Sequence, residues 1–340
     1  MVSYIVRRLA LAIVVMIGVS ILTFLLTRTV PSDPAARWVG PHARPEQVAS
    51  ARIKLGLDKP LYVQYYRYIR DFLHGDWGQS VRTHQPVLRE LFSYLPASLE
   101  LILFGMVIAF ALGIPLGIIS AVKNGTTIDH LSRVFSIAGV ALPTFWLAMI
   151  LQLVFFKELR LFPLAGRLDM MTSVISPIKC VTGFYLIDSL VTCNFAAFAS
   201  ALYHIVLPGI TLAAFPLGLS ARMTRATMLE ILGEDYIRTA RACGLREVKI
   251  LAVYALRNAI GPVLTVGALT FAYSLVETFL IESVFAWPGL GYYASNAIMT
   301  VDYPAIMGVT LLVAFTYVLL NLIVDITLAF LDPRIRISYT

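Results

Sequence analysis

Six uncharged apolar runs, at 9–27, 101–122, 134–156, 201–221, 259–276 and 305–324, divide this chain and constrain its fold more than any other feature. Each has roughly the 20 residues that a helix needs to cross a hydrocarbon core. A segment surrounded by lipid must also satisfy its own backbone hydrogen bonds, which favours helices over open strands. The runs therefore predict an all-α integral membrane protein with six transmembrane helices. Charged residues make up 14% of the chain, against about a quarter in soluble domains. The net charge of +7 is then read as membrane topology and not as nucleic-acid binding.

Six spans place both termini on one side, and basic residues in the short connections say which. Arg7 and Arg8 precede the first span, Lys123 and Arg133 flank the second connection, and Arg334 and Arg336 follow the last. The segment 222–257 carries seven Lys and Arg residues. The positive-inside rule makes all of these cytoplasmic. The pair Arg7-Arg8 ahead of an apolar run has the layout of a signal peptide, but the run is long and lacks a clear cleavage site, so it is expected to remain as an anchor.

The chain is expected to divide into an N-terminal anchor at 1–30, an extracytoplasmic loop at 31–97 and a five-helix core at 98–340. Within 31–97, segments 49–55 and 62–73 read as short amphipathic helices around a Gly-Pro turn, and Gly75-Asp-Trp-Gly78 as a second turn. Trp38, Tyr62, Tyr65, Tyr66, Tyr68 and Trp77 suit a headgroup-level cap or a platform for a partner. The connection 157–200 holds an apolar piece, 174–187, that Pro177, Lys179 and Gly183 interrupt. It is expected to lie at the interface or re-enter, not to span. Cys180 and Cys193 fall here, leaving a disulfide as an alternative to two free thiols. Gly113 and Gly117 in the second span have the small-xxx-small spacing that permits close helix approach. Proline at 115, 143, 208 and 216 is read as packing and gating geometry.

The segment 222–262 is polar in an otherwise membrane-like chain. Residues 229–242 lack proline, Gly244 stands where a helix C-cap requires a left-handed backbone, and a second helix is expected over 246–258. The expected packing stripes are Tyr236, Thr239, Ala240 and Cys243 on the first helix, and Val248, Leu251, Ala252 and Ala255 on the second. Small Ala240 and Ala242 would let the elbow approach a partner closely. Arg238, Arg241, Arg246 and Lys249 suit acidic rims or phospholipid, although seven basic residues could also simply obey the positive-inside rule.

The ordered pattern Tyr236-Ile-Arg-Thr-Ala-Arg-Ala-Cys-Gly-Leu245, followed by Ala255-Leu-Arg-Asn-Ala259, resembles the coupling loop of ABC importer permeases. The match is to the dipeptide and oligopeptide (peptide/nickel) branch, and most like its B-type subunits. Relative to the broad family consensus, Ala240, Gly244 and Leu256 are kept. Arg238, Thr239 and Arg257 replace Glu, Ala and Pro as that branch does, while Cys243 is particular to this chain. Glu282-Ser-Val-Phe-Ala-Trp-Pro-Gly-Leu-Gly291, Asp302-Tyr-Pro304 and the ending 321–336 also resemble the branch.

This resemblance implies the type I importer permease fold, in which the 222–262 loop couples to an ATPase through Tyr236, Arg238, Thr239, Ala240, Arg241, Ala242, Gly244, Leu245, Leu256 and Arg257. It implies a second homologous permease, one or two ATPases that hold ATP and Mg, and an extracytoplasmic solute-binding protein. The implied cargo is dipeptides or oligopeptides, with nickel chelates, glutathione or oligosaccharides as alternatives within the branch.

No cofactor or metal is expected on this chain. It has no GxxxxGK phosphate cradle, no HExxH and no GxSxG, and its five histidines are scattered. Glu277, in or near the fifth span, lines a translocation path, bonds to another helix or lies at the membrane interface. Glu282 is expected to shape an external gate with Trp287, Pro288 and Gly289. Asp325 is expected to pair with a loop arginine. A reading from another class, an ion-driven secondary transporter, would call for inverted repeats, midplane broken helices and coupling acids, of which only Glu277 is suggestive.

Overall fold

A computed structural model describes residues 2–29, 34–40, 43–54 and 56–331, with the side chains of 2–6, 29, 34, 37, 54 and 324–331 outside the description. The expectations for Asp325, Arg334 and Arg336 fall outside these described side chains. Regular structure among the described residues is helical, apart from one isolated bridge between Gln79 and Pro86. The helices are α1 (Val2–Thr29), α2 (Pro34–Val39), α3 (Pro45–Lys54), α4 (Leu61–Leu73), α5 (Val87–Val122), α6 (Thr127–Ala141), α7 (Thr144–Leu151), α8 (Met170–Ile175) and α9 (Tyr185–Val191). There follow α10 (Phe195–Leu232), α11 (Asp235–Ala242), α12 (Glu247–Lys249), α13 (Leu256–Val284), α14 (Leu290–Thr300) and α15 (Tyr303–Leu331). Wider π turns continue α7 over Gln152–Glu158 and join α12 to α13 over Ile250–Ala255.

Five of these helical stretches are long and apolar enough to cross a membrane. The sixth predicted span, 134–156, is not one straight helix: α6 and α7 meet at 108°. Proline crowds the residue before it out of helical geometry, and Leu142, before Pro143, is extended with ψ 132°. The apolar run was legible, whereas the break within it required Pro143 to be read as a helix end.

The chain forms two compact units. The first comprises 1–95 and 292–319. Here α4 lays one face on α1: Phe24 is buried with its ring 5.4 Å from that of Tyr65 and 6.3 Å from that of Tyr68, and Ser20 shares a hydrogen bond with the Tyr65 hydroxyl at 2.8 Å. Tyr62 and Tyr66, one turn apart on the other face, are exposed. The predicted aromatic cap thus separates into a packed pair and an exposed pair. Trp77 stacks on Phe72 at 4.3 Å. Asp302 fixes the turn after it, accepting from Ser80 Oγ at 2.5 Å and from the Arg82 amide at 3.2 Å.

The second unit comprises 96–291 and the chain from 320. Its long helix α10 packs along α13 and α6. The predicted close approach of α5 is present. A Cβ on Gly117 would sit 2.6 Å from both the Ala221 carbonyl oxygen and the Thr224 Cβ, and one on Gly113 would collide with the Ser220 hydroxyl. Leu101, Ile102, Ile205, Leu212, Ile281 and Trp287 belong to the core of this unit.

Candidate functional sites at the two ends of α13

The polar hairpin differs from its prediction in three respects. Its first arm is not continuous from 229, because α10 stops at Leu232 and the chain turns through Gly233 and an extended Glu234 before α11 starts. The second arm does not end near 258. From Glu247 to Val284 the chain is one 38-residue helical path, so the arm is the beginning of the fifth span. The packing stripe is also shifted. Ile237 and Ala240 of α11 are buried with Ile250, Ala255, Ala259 and Met228, whereas Tyr236, Thr239, Cys243 and Val248 are exposed. Ile237 is the strongly apolar residue of α11, and that signal was available in the sequence.

Gly244 ends α11 as predicted, with φ +75°. The Leu245 amide donates to the Ala240 carbonyl at 3.3 Å and the Gly244 amide to the Arg241 carbonyl at 2.9 Å, the paired bonds of a Schellman cap. Arg241 bridges the elbow to Glu247 at 2.8 Å, and Asn258 donates to the Tyr236 hydroxyl at 2.9 Å, tying the arms together. Arg238 pairs with Asp235 at 3.2 Å, and the Thr239 hydroxyl donates to the Asp235 carbonyl at 3.0 Å. Leu245 and Leu256 are half-buried supports, while Ala242, Cys243, Gly244, Arg246, Lys249 and Arg257 are exposed. The tip is therefore firmly internally braced, small in its side chains and ringed by cations.

The far end of α13 closes on itself. Glu282 is wholly buried. One carboxylate oxygen accepts from Ser98 Oγ at 2.6 Å, and the other from the Gly291 amide at 2.6 Å. Ser98 Oγ in turn accepts from the Leu290 amide at 2.8 Å. A Cβ at Gly289 would strike the Glu282 carboxylate, so glycine there lets the backbone wrap around the acid. Trp287 is buried and its Nε1 donates to the Ala97 carbonyl at 2.9 Å. Pro288 is half-buried beside it. The structure thus gathers Glu282, Trp287 and Gly289 with Ser98 and Gly291. Glu277 lies five residues earlier on α13, half-buried, and its Oε2 is buried without a hydrogen-bond partner among the described residues.

Two ion pairs were not anticipated. Arg167 meets Glu100, both nearly inaccessible, and Arg167 also donates to the Gly183 carbonyl at 3.0 Å. Its guanidinium lies 3.6 Å above the Tyr185 ring, and Glu100 accepts from the Leu186 amide at 2.7 Å. The connection 157–200 is thereby fastened to the start of the second span. Near it, burial works against the charge of Asp188. The Thr182 hydroxyl and the amides of Thr182, Gly183 and Val181 together outweigh burial and hold that carboxyl below the ordinary range.

The second pair, Arg225 with Asp129, is a two-bond contact at 2.7 and 2.9 Å between α10 and α6. Asp129 also accepts from Ser120 Oγ at 2.6 Å and the Gly125 amide at 3.0 Å. The partners of each pair are 67 and 96 residues apart, so spacing could not reveal them. The available signal was an acid just ahead of each apolar run, Glu100 before 101–122 and Asp129 before 134–156. Cys180, Cys193 and Cys243 are free thiols, so the disulfide held open for the first two is not formed. Among the described residues no group of three or more His, Cys, Asp or Glu is placed to hold a metal ion.

Residues 113–337 match the family model "Binding-protein-dependent transport system inner membrane component", and residues 1–103 match "Binding-prot-dependent transport system membrane comp, N-term". The chain is 46% identical over 323 residues to the probable D,D-dipeptide transport system permease protein DdpB of Escherichia coli strain K12, covering 95% of this chain and 94% of that protein. It is 40% identical over 336 residues to the dipeptide transport system permease protein DppB of Alkalihalophilus pseudofirmus, covering 99% and 100%. With the di/tripeptide transport system permease protein DppB of Pseudomonas aeruginosa it shares 43% identity over 337 residues, covering 99% of each chain.

Proposed function

Since the chain belongs to the family of binding-protein-dependent transport system inner membrane components, we propose that it is the permease subunit of an ABC importer for dipeptides or oligopeptides. With a second homologous permease it encloses the translocation path. One or two kinds of ATPase subunit bind ATP and Mg on the cytoplasmic side and perform the hydrolysis, so this chain is non-catalytic. An extracytoplasmic solute-binding protein delivers the peptide. Both termini and the 222–262 loop face the cytoplasm, as the basic connections require.

The observation that carries this reading is the continuity of Glu247–Val284 behind the braced elbow. The tip, with Tyr236, Arg238, Thr239, Ala242 and Gly244 at its surface, enters a groove on the ATPase, and Arg241, Leu245, Leu256 and Arg257 hold or flank it. A helix of 38 residues extends about 57 Å at 1.5 Å per residue, so movement at Gly244 reaches the Glu282 end without an intervening loop. The π turns at Ile250–Ala255 are the place where this path can flex, since such irregular turns in helices commonly accompany function. In this reading Glu282 anchors the external gate formed by Trp287, Pro288 and Gly289, and Glu277 faces the path.

Reconstitution of the complete complex in proteoliposomes tests the proposal. Accumulation of a labelled dipeptide should need ATP and the binding protein, and unlabelled peptides should compete. Transport of a nickel chelate, glutathione or an oligosaccharide without peptide competition would reassign the cargo. Uptake driven by an ion gradient without ATP would overturn the reading altogether.

A further inference from the structure

A cavity of about 150 Å³ opens between α5, α6 and α10 in the second unit. Leu116, Ile137 and Ala226 furnish apolar wall, and Arg133, Arg222 and Arg225 are the charged residues of its lining. One carboxylate, Asp129, meets two of them, with bonds to Arg225 and a contact to Arg133 Nε at 3.7 Å. Arg222 has no ion-pair or hydrogen-bond partner among the described residues and is exposed. Three cations against one anion leave the cavity about two charges in excess, and this excess is not consumed by the Asp129–Arg225 contact that joins α6 to α10.

The position of the cavity selects the kind of anion. Arg222 and Arg225 stand where the apolar run of α10 gives way to charge, and Lys123 directly follows α5. The cavity therefore straddles the border of the apolar belt, the level at which headgroups lie. On α6 beside it, Val134, Phe135 and Ile137 are 62%, 70% and 62% exposed, a surface suited to acyl chains. A free phosphate would match the guanidinium groups and leave the apolar wall unmatched, whereas an amphiphilic anion matches both. The volume resembles that of a cavity that holds one benzene, which admits a phosphate group while the chains remain outside.

We propose that this cavity binds the headgroup of an anionic phospholipid from the leaflet on the hairpin side, with its phosphate at Arg133 and Arg222. Basic pockets between spans commonly recognise such lipids. The bound phosphate neutralises the excess charge beside Asp129 and steadies the α6–α10 contact just before α10 leads into the hairpin. This inference does not depend on the transported cargo.

Native mass spectrometry of the purified complex, after exchange into mixtures of phosphatidylglycerol and phosphatidylcholine, reads the site directly. The wild type should retain phosphatidylglycerol preferentially. Arg222→Gln should lower that preference about fivefold and Arg133→Gln with Arg222→Gln about 25-fold, the effect of about one basic residue each at a membrane surface. Both side chains are exposed, and an unchanged melting temperature confirms that the variants fold. Inorganic phosphate should not displace the lipid. The inference is overturned if the double variant keeps the full preference, if inorganic phosphate displaces the lipid, or if the assembled complex retains none because the second permease covers the cavity.

Discussion

Where α13 is approached through α12, its chain begins in an elbow that exposes Ala242, Cys243 and Gly244 and carries exposed cations at Arg246, Lys249 and Arg257. Where α13 stops at Val284, the following turn folds over Glu282 until that carboxylate is sealed from solvent, and Trp287 is buried against Ala97. Both ends rely on glycines, but for different reasons. Gly244 gives the left-handed backbone of a cap and its missing Cβ faces open space, whereas Gly289 yields room to a neighbouring acid. One end satisfies its backbone and leaves a surface for another molecule, while the other consumes its polar groups internally. A helix fixed at one end and presented at the other is suited to carrying motion from a partner into the membrane.

The contrast can be broken at the sealed end first. Glu282→Ala orphans the buried Ser98 hydroxyl and Gly291 amide, each at a cost of about 1–3 kcal/mol. A loss of several kcal/mol should appear as a large fall in melting temperature in detergent, and an unchanged melting temperature would mean that the carboxylate is not the pin. Arg167→Met leaves Glu100 as an unpaired buried charge, which should cost about 3–5 kcal/mol. Faster proteolysis of the 157–200 connection would report it, and Glu100→Gln with Arg167→Met should recover part of the loss.

A smaller effect belongs to Asp188, whose folded carboxyl is held below its ordinary range. Its contribution is therefore complete above an unfolded value of about 3.9 and is lost as pH falls through the lower folded value. The melting temperature of the wild type should drop across that acid window more than that of Asp188→Asn. Equal acid sensitivity of the two would remove this role. Smallest is Arg241→Ala at the open end. Its pair with Glu247 is exposed on both sides, so the change should cost about 0–1 kcal/mol and leave the melting temperature nearly unaltered.

The sequence disclosed what depends on local chemistry. The places of five apolar spans, the α4 helix, the glycine cap at 244 and the close approach at Gly113 and Gly117 all follow from residue type and spacing. What it concealed depends on partners distant in the chain. Glu100 and Arg167 look like unrelated charges until the 157–200 connection folds back. The stripe through Ile237 and Ala240 packs on Met228, Ile250, Ala255 and Ala259, and of that set only Ile237, the strongly apolar residue of α11, marked it locally. Pro143 was visible, but whether a proline merely bends a span or ends a helix is decided by the packing around the freed backbone groups.

Co-purification of the chain with its ATPase from detergent, comparing wild type with Gly244→Arg, tests the open end most directly. Arginine at φ +75° strains the cap and fills the space that the elbow leaves for a partner, while the sealed end is untouched. An ATPase that accompanies the wild type and is lost from a variant of normal melting temperature is the predicted result. An ATPase retained equally by both, or accompanying neither, would contradict the assignment of the elbow as the coupling surface.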